Sequence, residues 1–317
     1  MADHAEIAVV IISYNTRELL LECLASLIES GKGVEMEIVV VDNASVDGSP
    51  EAVAERFPKV IIINNESNLG FGAACNQAIR ATTAPLILLL NSDARLNSQA
   101  LEALLHCMNM NKFCGAAGCR LENAAGREAV NTRNFLSPLN QALEYAGVSK
   151  WTDWRYLART RRPKLDENLI DCSIDWIEGS CLLLRRTALE EAGFFDEAFF
   201  MYSEDEDLCM RLRKAGREIC FTAAGTALHH GGASTEQNRT GMLRHFYLSQ
   251  ILFLLKHRGK WSALTFKFVT FAVLAMKWMF FLAAARRERS EQMREQMTAL
   301  RGAIGNGRWP HRNDGRP

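Results

Sequence analysis

The chain lacks an excess of charge of either sign, and it lacks the cysteine spacing of a cross-linked or zinc-bound fold. Its 317 residues carry 37 lysines and arginines against 37 aspartates and glutamates, so the net charge indicates no polyanionic partner such as nucleic acid. Nine cysteines include no Cys-x-x-Cys pair, which predicts neither a disulfide framework nor a zinc site. Residues 1–6 lack a basic segment followed by an apolar one, so we expect no secretory signal and a cytoplasmic location.

Three motifs of well-known enzyme classes are also missing. The glycine-rich segment 68–72 departs from Gly-x-Gly-x-x-Gly and has no P-loop lysine, which weakens the case for a dehydrogenase or an NTPase. No Gly-x-Ser-x-Gly elbow occurs in the chain, and this disfavours an α/β-hydrolase.

Strand and helix signals alternate through the first third of the chain. Short apolar runs at 7–12, 37–41, 60–63 and 86–90 are typical of strands buried on both faces. Between the first two, residues 16–29 place apolar side chains every three or four positions, which predicts an amphipathic helix. This spacing favours right-handed crossovers and an α/β fold with a mostly parallel central sheet.

Polar residues follow each of these strands. The strand 86–90 leads directly into Asn91, Ser92 and Asp93, which places a carboxylate at the carboxyl edge of the sheet, where open α/β folds bind ligands. Such a carboxylate can hold a divalent cation against a phosphate. The alternative is that Asn91 and Asp93 only turn the chain and cap a helix that begins near Ser98.

Four consecutive acidic residues occupy positions 204–207, before a predicted helix at 208–214. Acids at a helix N-terminus are stabilised by the helix dipole, but four of them exceed what capping requires. The aromatic residues Phe199, Phe200 and Tyr202 lower the local dielectric constant. Crowded carboxylates in that setting raise one another's proton affinity, which suits a general base.

A histidine pair, His229 and His230, precedes two glycines after a predicted strand at 218–222. One of these histidines could complete a metal site or contact a phosphate. An isolated histidine pair more often lies on the surface or in the core with its ring nitrogens already hydrogen-bonded.

The remaining chain divides into an irregular segment and an apolar C-terminal third. Residues 119–171 show little periodicity and predict an irregular region beside the cleft. Apolar stretches at 247–256 and 264–285 predict helices lying on or partly in a membrane, with an oligomer interface as the second interpretation and a true span as the third. We therefore expect a catalytic domain at 1–240, an apolar helical extension at 241–290, and an Arg-rich, disordered tail at 291–317.

Taken in order, these segments resemble the family 2 glycosyltransferases with the GT-A fold, in particular their rhamnosyltransferase-like branch. The resemblance spans about residues 7–235. The matching motifs are Ser13-Tyr14-Asn15, Val41-Asp42-Asn43-Ala44-Ser45, Asn68-Leu69-Gly70-Phe71-Gly72 with Asn76, Asn91-Ser92-Asp93, Ser203-Glu204-Asp205-Glu206-Asp207-Leu208 and His229-His230-Gly231-Gly232-Ala233-Ser234.

The resemblance implies a role for each matching position. Asp205 would be the catalytic base, and Asp93 with His229 would bind a divalent cation, Mg²⁺ or Mn²⁺, on the donor diphosphate. The nucleotide sugar would be bound by Ser13, Asn15, Asp42, Asn43, Asn68, Gly70, Asn91 and Ser92. Acceptor or secondary positions would be Glu178, Gly179, Glu204, Asp207 and His230, with His230 also the substitute for His229 at the metal.

The chain departs from the family pattern at one of these positions. Asn91 stands where the Asp-x-Asp motif usually has its first aspartate. The amide can still hydrogen-bond a ribose or a metal-bound water, but one negative charge is lost, so weaker metal affinity is expected.

The resemblance also implies the reaction. An inverting enzyme would move a sugar, with a rhamnose-like deoxysugar favoured, from a nucleoside diphosphate to a hydroxyl of a lipid-linked or cell-surface glycan. It would act at the inner face of the cytoplasmic membrane, through peripheral contact by its C-terminal helices and with a homodimer possible. A nucleotidyltransferase of related core and a non-catalytic sugar-nucleotide-binding scaffold remain alternatives.

Overall fold

The computed structural model describes residues 5–146, 170–172, 174–231 and 239–305. The middle of the predicted irregular region (147–169), the motif end Gly232-Ala233-Ser234 and the last residues of the predicted tail (306–317) lie outside these ranges. Contacts divide the chain into a sheet unit, 1–135 with 159–237, and a helical unit, 136–158 with 238–317.

The elements follow one another along the chain as the alternation predicts. The strands are β1 Ile7–Ser13, β2 Met36–Asp42, β3 Ile61–Asn64, β4 Leu86–Leu90, β5 Ala94–Arg95, β6 Cys114–Glu122, β7 Glu128–Ala129, β8 Thr132–Arg133, β9 Ile170–Asp171, β10 Trp176–Ile177, β11 Cys181–Arg185 and β12 Glu218–His229. The helices are α1 Arg17–Ser30, α2 Ser49–Arg56, α3 Phe71–Arg80, α4 Ser98–Met110, α5 Pro138–Ala146, α6 Arg186–Ala192, α7 Glu204–Lys214, α8 Arg239–Ala283 and α9 Arg287–Gly305.

The predicted α/β fold with a mixed, mostly parallel sheet is confirmed. The main sheet has the order β3-β2-β1-β4-β11-β6-β12-β5. Strands β1 to β4 run parallel, β11 is antiparallel to both β4 and β6, and β12 is parallel to β6. The carboxyl ends of β1, β2, β3, β4, β6 and β12 therefore meet at one edge of the sheet.

Strand β4 shows why this part of the sequence is uniformly apolar. All five of its residues are buried. Leu86, Leu88 and Leu90 pack into the core that contains α1 and α4, whereas Ile87 and Leu89 pack into the core beneath α3 and α7. Helices cover both faces, so a polar residue on either face of this strand would be buried without water.

In the helical unit, α8 is two helices that meet at Gly259, whose φ of 82° breaks the helical geometry. The segment 241–283, which includes this break, is long and apolar enough to cross a membrane, and 17% of its most apolar 18-residue stretch is buried. The apolar C-terminal extension is thus helical, as predicted. Helix α5 groups with this unit, although the sequence-based division placed it in the catalytic domain.

The prediction of disorder after residue 290 is wrong for residues 291–305, which form most of α9. Ser290, Leu300 and Ala303 are buried along one face of this helix, which packs on α8. Two of its arginines lie on aromatic rings of α8: the Arg301 guanidinium is 4.9 Å from the Phe271 ring centre, and that of Arg289 is 5.6 Å from the Phe281 ring centre. The arginines thus contribute packing to this helix, which composition alone did not indicate.

Candidate active site

Polar residues at the ends of β1, β2 and β3 lie side by side. Ser13 pairs with Asp42, and Asp42 pairs with Asn64, in the parallel register of these strands. Ser13, Asp42 and Asn43 are buried although they are polar. The carboxyl edge of the sheet thus collects the first group of predicted site residues.

The loops after β1 and β2 hold each other in place. The backbone N–H of Asn15 donates to Ser45 Oγ at 2.8 Å, and Asn15 Oδ1 accepts from the Val46 N–H at 2.8 Å. Asp42 Oδ2 accepts from the Ser45 N–H at 2.8 Å, whereas its buried Oδ1 has no hydrogen-bond partner among the described residues. An acceptor of this kind suits an N–H or O–H group of a ligand.

A second group of hydrogen bonds at this edge is built around Gly70. The Gly70 N–H donates to Asn68 Oδ1 at 3.0 Å, and Asn43 Nδ2 donates to the Gly70 carbonyl at 3.3 Å. Gly70 has a φ of 86°, and a Cβ there would lie 2.2 Å from the Phe200 carbonyl oxygen. Only glycine fits, because both the backbone conformation and the close approach exclude a side chain.

Asn91, Asp93 and His229 converge at the end of β4. His229 Nε2 lies 3.1 Å from Asp93 Oδ1 and 3.1 Å from Asn91 Nδ2. Asp93 is 7% exposed, and strand β12 brings His229 beside it from far along the chain. The alternative that Asn91 and Asp93 cap the next helix is wrong, because Asn97 caps α4 by accepting from the Ala100 N–H at 2.8 Å.

Ser92 points to a different neighbour. Its Oγ accepts a hydrogen bond from Thr16 Oγ1 at 2.9 Å, and Thr16 Oγ1 lies 3.3 Å from Ser13 Oγ. This chain of hydroxyls joins the ends of β1 and β4. A role for Ser92 in nucleotide binding stays a prediction.

The residues at the end of β4 fit a divalent cation. A carboxylate and an imidazole nitrogen already face each other there, and both groups can bind divalent metal cations. The neighbouring His230 has a buried Nε2 with no hydrogen-bond partner in the described part of the chain, and its backbone N–H donates to the Asp93 carbonyl at 3.1 Å. The imidazole of His229 faces the Asp93 carboxylate, whereas His230 contacts Asp93 through its backbone, and its role as the substitute ligand stays a prediction.

Asp205 lies in the first turn of α7, partly exposed, with both carboxylate oxygens hydrogen-bonded. Oδ2 accepts from the Gly179 N–H at 3.0 Å and Oδ1 from the Glu206 N–H at 2.8 Å. Loss of water around the carboxylate, followed by the charge of Glu178, raises the pKa of Asp205 to about 7, against the two hydrogen bonds that lower it. A carboxylate with this pKa suits proton abstraction near neutral pH.

A short segment before β11 connects the two halves of the site. Gly179 binds Asp205, and the next residue, Ser180, accepts a hydrogen bond from the Asn91 N–H at 3.0 Å. Consecutive Cα atoms are about 3.8 Å apart. The predicted base and the predicted metal-binding loop are therefore neighbours, which their separation in sequence does not reveal.

Two further carboxylates flank Asp205. Glu178 is paired with Arg133, whose Nε and Nη2 each lie 2.8 Å from Oε1. Glu204 is 4% exposed and its Oε2 has no hydrogen-bond partner in the described ranges; burial, followed by the charge of Asp205, raises the pKa of Glu204 well above its usual value. Sequence reasoning missed Arg133, because it lies in a stretch without periodicity.

Asp207 is fully buried and faces the end of α6. Its Oδ2 accepts from Arg211 Nε at 2.8 Å, and Arg211 Nη1 donates to the carbonyls of Ala192 and Gly193. This ion pair ties α7 to the end of α6 and so fixes the helix that carries Asp205. A role toward the acceptor stays a prediction.

We expect Asp207→Ala to lower the free energy of unfolding by about 3 kcal/mol, because it leaves the Arg211 guanidinium, whose side chain is only 17% exposed, without its carboxylate. Urea unfolding followed by circular dichroism measures this. The matched change Glu190→Ala, at an exposed position of α6, should alter stability by less than about 0.5 kcal/mol. Equal effects of the two substitutions would contradict the stabilising role of the pair.

Comparison with known proteins agrees with this geometry. The model of "Glycosyl transferase family 2" matches residues 8–193. The N-acetylglucosaminyl-diphospho-decaprenol L-rhamnosyltransferase of Mycobacterium tuberculosis is 29% identical over 267 residues, 80% of this chain and 86% of the relative. The low-salt glycan biosynthesis hexosyltransferase Agl10 of Haloferax volcanii is 23% identical, covering 71% of this chain and 67% of the relative.

Among solved structures, the chain resembles the mannosyltransferase PcManGT from Pyrobaculum calidifontis, which was solved in complex with GDP-Man and Mn²⁺. The TM-score is 0.57 with 16% sequence identity, covering 97% of this chain and 89% of the other. At this identity the likeness supports the GT-A fold alone. The matched family model spans more than half of the residues, and the chain therefore belongs to glycosyl transferase family 2.

Proposed function

We propose that this glycosyltransferase moves a sugar, with inversion, from a nucleoside diphosphate to a hydroxyl of a lipid-linked or cell-surface glycan. A rhamnose-like deoxysugar is favoured, since the relative that matches 80% of the chain is named for L-rhamnosyl transfer to a decaprenol-linked acceptor. The observation that carries the proposal is the joining of Asp205 and Asn91 to the successive residues Gly179 and Ser180.

The donor would lie along the carboxyl edge of the sheet. The unpartnered Oδ1 of Asp42 suits an N–H group of the base, and the Asn68–Gly70 turn lies beside it through Asn43. The diphosphate would then reach Asp93 and His229 at the end of β4. This order leaves the sugar on the side of Gly179 and Asp205.

Asp93 and His229 would hold the divalent cation, Mg²⁺ or Mn²⁺, with His230 as the substitute. Bound there, the cation would neutralise charge on the leaving diphosphate. In the present arrangement His229 Nε2 faces the Asp93 carboxylate at 3.1 Å.

Asp205 would accept the proton of the acceptor hydroxyl as that oxygen attacks the anomeric carbon from the face opposite the diphosphate. One positioned carboxylate suffices for this step, and no covalent intermediate is needed. Gly179 and Glu206 orient its two oxygens. The ion pair of Arg133 with Glu178 holds a second carboxylate beside the base.

Thermal-shift screening of sugar nucleotides, with and without Mg²⁺ or Mn²⁺, tests the donor class, because a ligand stabilises the native state according to its affinity. We expect a deoxythymidine-diphosphate deoxysugar to raise Tm most, and to raise it further with the cation. If a uridine-diphosphate hexose raised Tm most, the proposed donor sugar would be wrong. A chain that binds sugar nucleotides and neither transfers nor hydrolyses them would be a scaffold.

We expect kcat/KM to rise about tenfold per pH unit below pH 7 and to level off above it. The pKa of Asp205 is raised to about 7, and only the unprotonated carboxylate can accept the proton, so activity is lost as the pH falls through that value. Glu178 contributes to raising this pKa; Glu178→Gln should therefore move the inflection to lower pH. A profile that is flat from pH 5 to 9 would contradict the assignment.

The C-terminal helices would make the membrane contact. Apolar side chains of α8 remain strongly exposed within the helical unit, among them Trp261 at 73%, Phe268 at 76% and Phe280 at 64%. The basic residues Lys256, Arg258 and Lys260 adjoin the break in α8. An apolar surface with adjacent basic residues suits an anionic lipid surface, and a lipid-linked acceptor would be presented there.

Flotation of the full chain with phosphatidylglycerol-containing vesicles tests this contact. Phe268→Glu combined with Phe280→Glu should reduce the vesicle-bound fraction at least tenfold, because two charges would enter the apolar layer. The control pair Glu51→Gln and Glu102→Gln, exposed in the sheet unit, should leave binding unchanged. Equal binding of all three proteins would remove the proposal, and self-association without vesicle binding would favour a homodimer interface.

A further inference from the structure

Four cysteine side chains gather at the edge of the sheet opposite the candidate active site. We call Cys107, Cys114, Cys172 and Cys220 the thiol cluster. The sulfurs of Cys107, Cys114 and Cys220 lie within 4.8 Å of one another, and all three residues are fully buried. Cys172 is bonded to Cys220 through a disulfide, so the expectation from cysteine spacing that the chain has no disulfide is wrong for this pair, which the fold brings together across 48 residues of sequence.

The fold brings these residues together from four elements. Cys107 lies in the last turn of α4, and Cys114 begins β6. Cys220 lies on β12, the parallel neighbour of β6, and Cys172 follows β9, which pairs antiparallel with β12. Because β6 and β4 run in the same direction, the start of β6 is at the edge away from Asp93.

One amide donor, one guanidinium and one carboxylate lie beside the cluster. The Glu218 carboxylate lies within 4.8 Å of the Cys172 and Cys220 sulfurs, and its Oε2 accepts from Asn111 Nδ2 at 2.6 Å. Asn111 Nδ2 lies 3.5 Å from Cys172 Sγ and 3.7 Å from Cys220 Sγ. Arg185 Nε donates to the Cys114 carbonyl at 3.0 Å, and its Nη2 donates to the Asn111 carbonyl at 3.3 Å. Amide donors beside sulfur and a nearby guanidinium are what thiolate ligands require to offset their negative charge.

We propose that the reduced thiol cluster binds one thiophilic cation, Zn²⁺ in the first instance, through Cys107, Cys114 and Cys220 with Cys172 as the fourth ligand. Tetrahedral zinc with bonds of about 2.3 Å to sulfur needs sulfurs about 3.8 Å apart. Side-chain rotations of Cys107, Cys114 and Cys220 provide this from separations within 4.8 Å. Cys172, which is bonded to Cys220, must turn away from it after reduction to reach the fourth position. All-sulfur ligation favours Zn²⁺ over the Mg²⁺ or Mn²⁺ suited to Asp93 and His229.

The Cys172–Cys220 disulfide and the metal-bound thiolates are alternative states of the same sulfur atoms. A dithiol reductant supplies two electrons and two protons to the Cys172–Cys220 bond. This gives two cysteine thiols, and the reductant becomes a cyclic disulfide. Metal binding then releases up to four protons as the thiols become thiolates. A reducing cytoplasm favours the thiol state, in which buried cysteine groups are more often metal sites than cross-links.

The full chain, reduced with a dithiol under argon, is desalted and titrated with Co²⁺ alone. Zn²⁺ is then added to the Co²⁺-loaded protein, and a separate metal-free sample is loaded with Zn²⁺ for elemental analysis. We expect a sulfur-to-cobalt charge-transfer absorption that saturates near one equivalent, which sulfur ligands alone produce, and its loss when Zn²⁺ displaces Co²⁺. Elemental analysis should find about one zinc per reduced chain. Absence of both signals in fully reduced, folded protein would overturn the proposal.

Cysteine variants decide which sulfurs bind. Cys107→Ala and Cys220→Ala should each abolish the cobalt absorption, whereas Cys209→Ala, at an equally buried position of α7, should keep it. Retention of the full absorption in Cys107→Ala and Cys220→Ala would overturn the assignment. If a cluster variant fails to fold, the wild-type chain can be alkylated with and without Zn²⁺ instead. Protection of these four cysteines by Zn²⁺, mapped by mass spectrometry, then identifies the binding sulfurs.

Discussion

Asp205→Asn is expected to reduce sugar transfer by about a thousandfold, the range in which a positioned general base contributes. The amide has nearly the shape of the carboxylate, so the hydrogen bond from Gly179 can remain. It cannot accept the proton of the acceptor hydroxyl. The residual rate should also lose its inflection near pH 7, because the group that titrates there is gone.

Binding and stability distinguish this result from a damaged fold. The affinity for the sugar nucleotide, measured by calorimetry, should change less than about threefold. The folded-state pKa of Asp205 is raised, so its ionised form opposes folding progressively as the pH rises toward 7 and fully above it. Asp205→Asn removes this opposition at pH 8, but its amide can accept only one of the two hydrogen bonds from Gly179 and Glu206. Its free energy of unfolding at pH 8 should therefore stay within about 1 kcal/mol of that of the native chain. Transfer at the native rate would show that another group is the base.

The strand ends could be predicted from sequence because their signals are local. A buried strand must be apolar on both faces, and its end must turn, so the change from Leu90 to Asn91 marks the edge of the sheet. The strand β4 has the same bounds in the sequence analysis and in the structure. Family resemblance then supplied the candidate roles at these ends, and those roles stay predictions.

The contacts between distant segments could not be predicted in this way. The approach of His229 to Asp93 depends on β12 running parallel to β6 and pairing with β5, and no local pattern encodes that register. The same holds for the thiol cluster, whose members are too widely spaced for any short metal-binding motif. Helix α9 was missed for a different reason: its composition suggests disorder, while burial against α8 provides its stability.

Asp93→Asn is expected to lower kcat/KM at least a hundredfold and to raise the metal concentration needed for half-maximal activity. Asp93 is the carboxylate of the β4 end that faces His229, and its charge would offset that of the cation beside the diphosphate. Asn91 contributes only an amide there. After loss of Asp93, two neutral amides and one imidazole would remain, a weak set for a hard divalent cation.

Asn91→Asp provides the opposite change at the same place. It adds a second carboxylate beside His229 and should lower the metal concentration needed for half-maximal activity. The control Glu102→Gln, at an exposed position of α4, should leave that concentration unchanged. Steady-state assays over a range of Mn²⁺ and Mg²⁺ concentrations, with a chelated zero point, measure all three variants. If Asp93→Asn stays fully active in chelator and Asn91→Asp has no effect on the metal requirement, the cation does not bind at the end of β4, and the Asp93 carboxylate is not required for transfer.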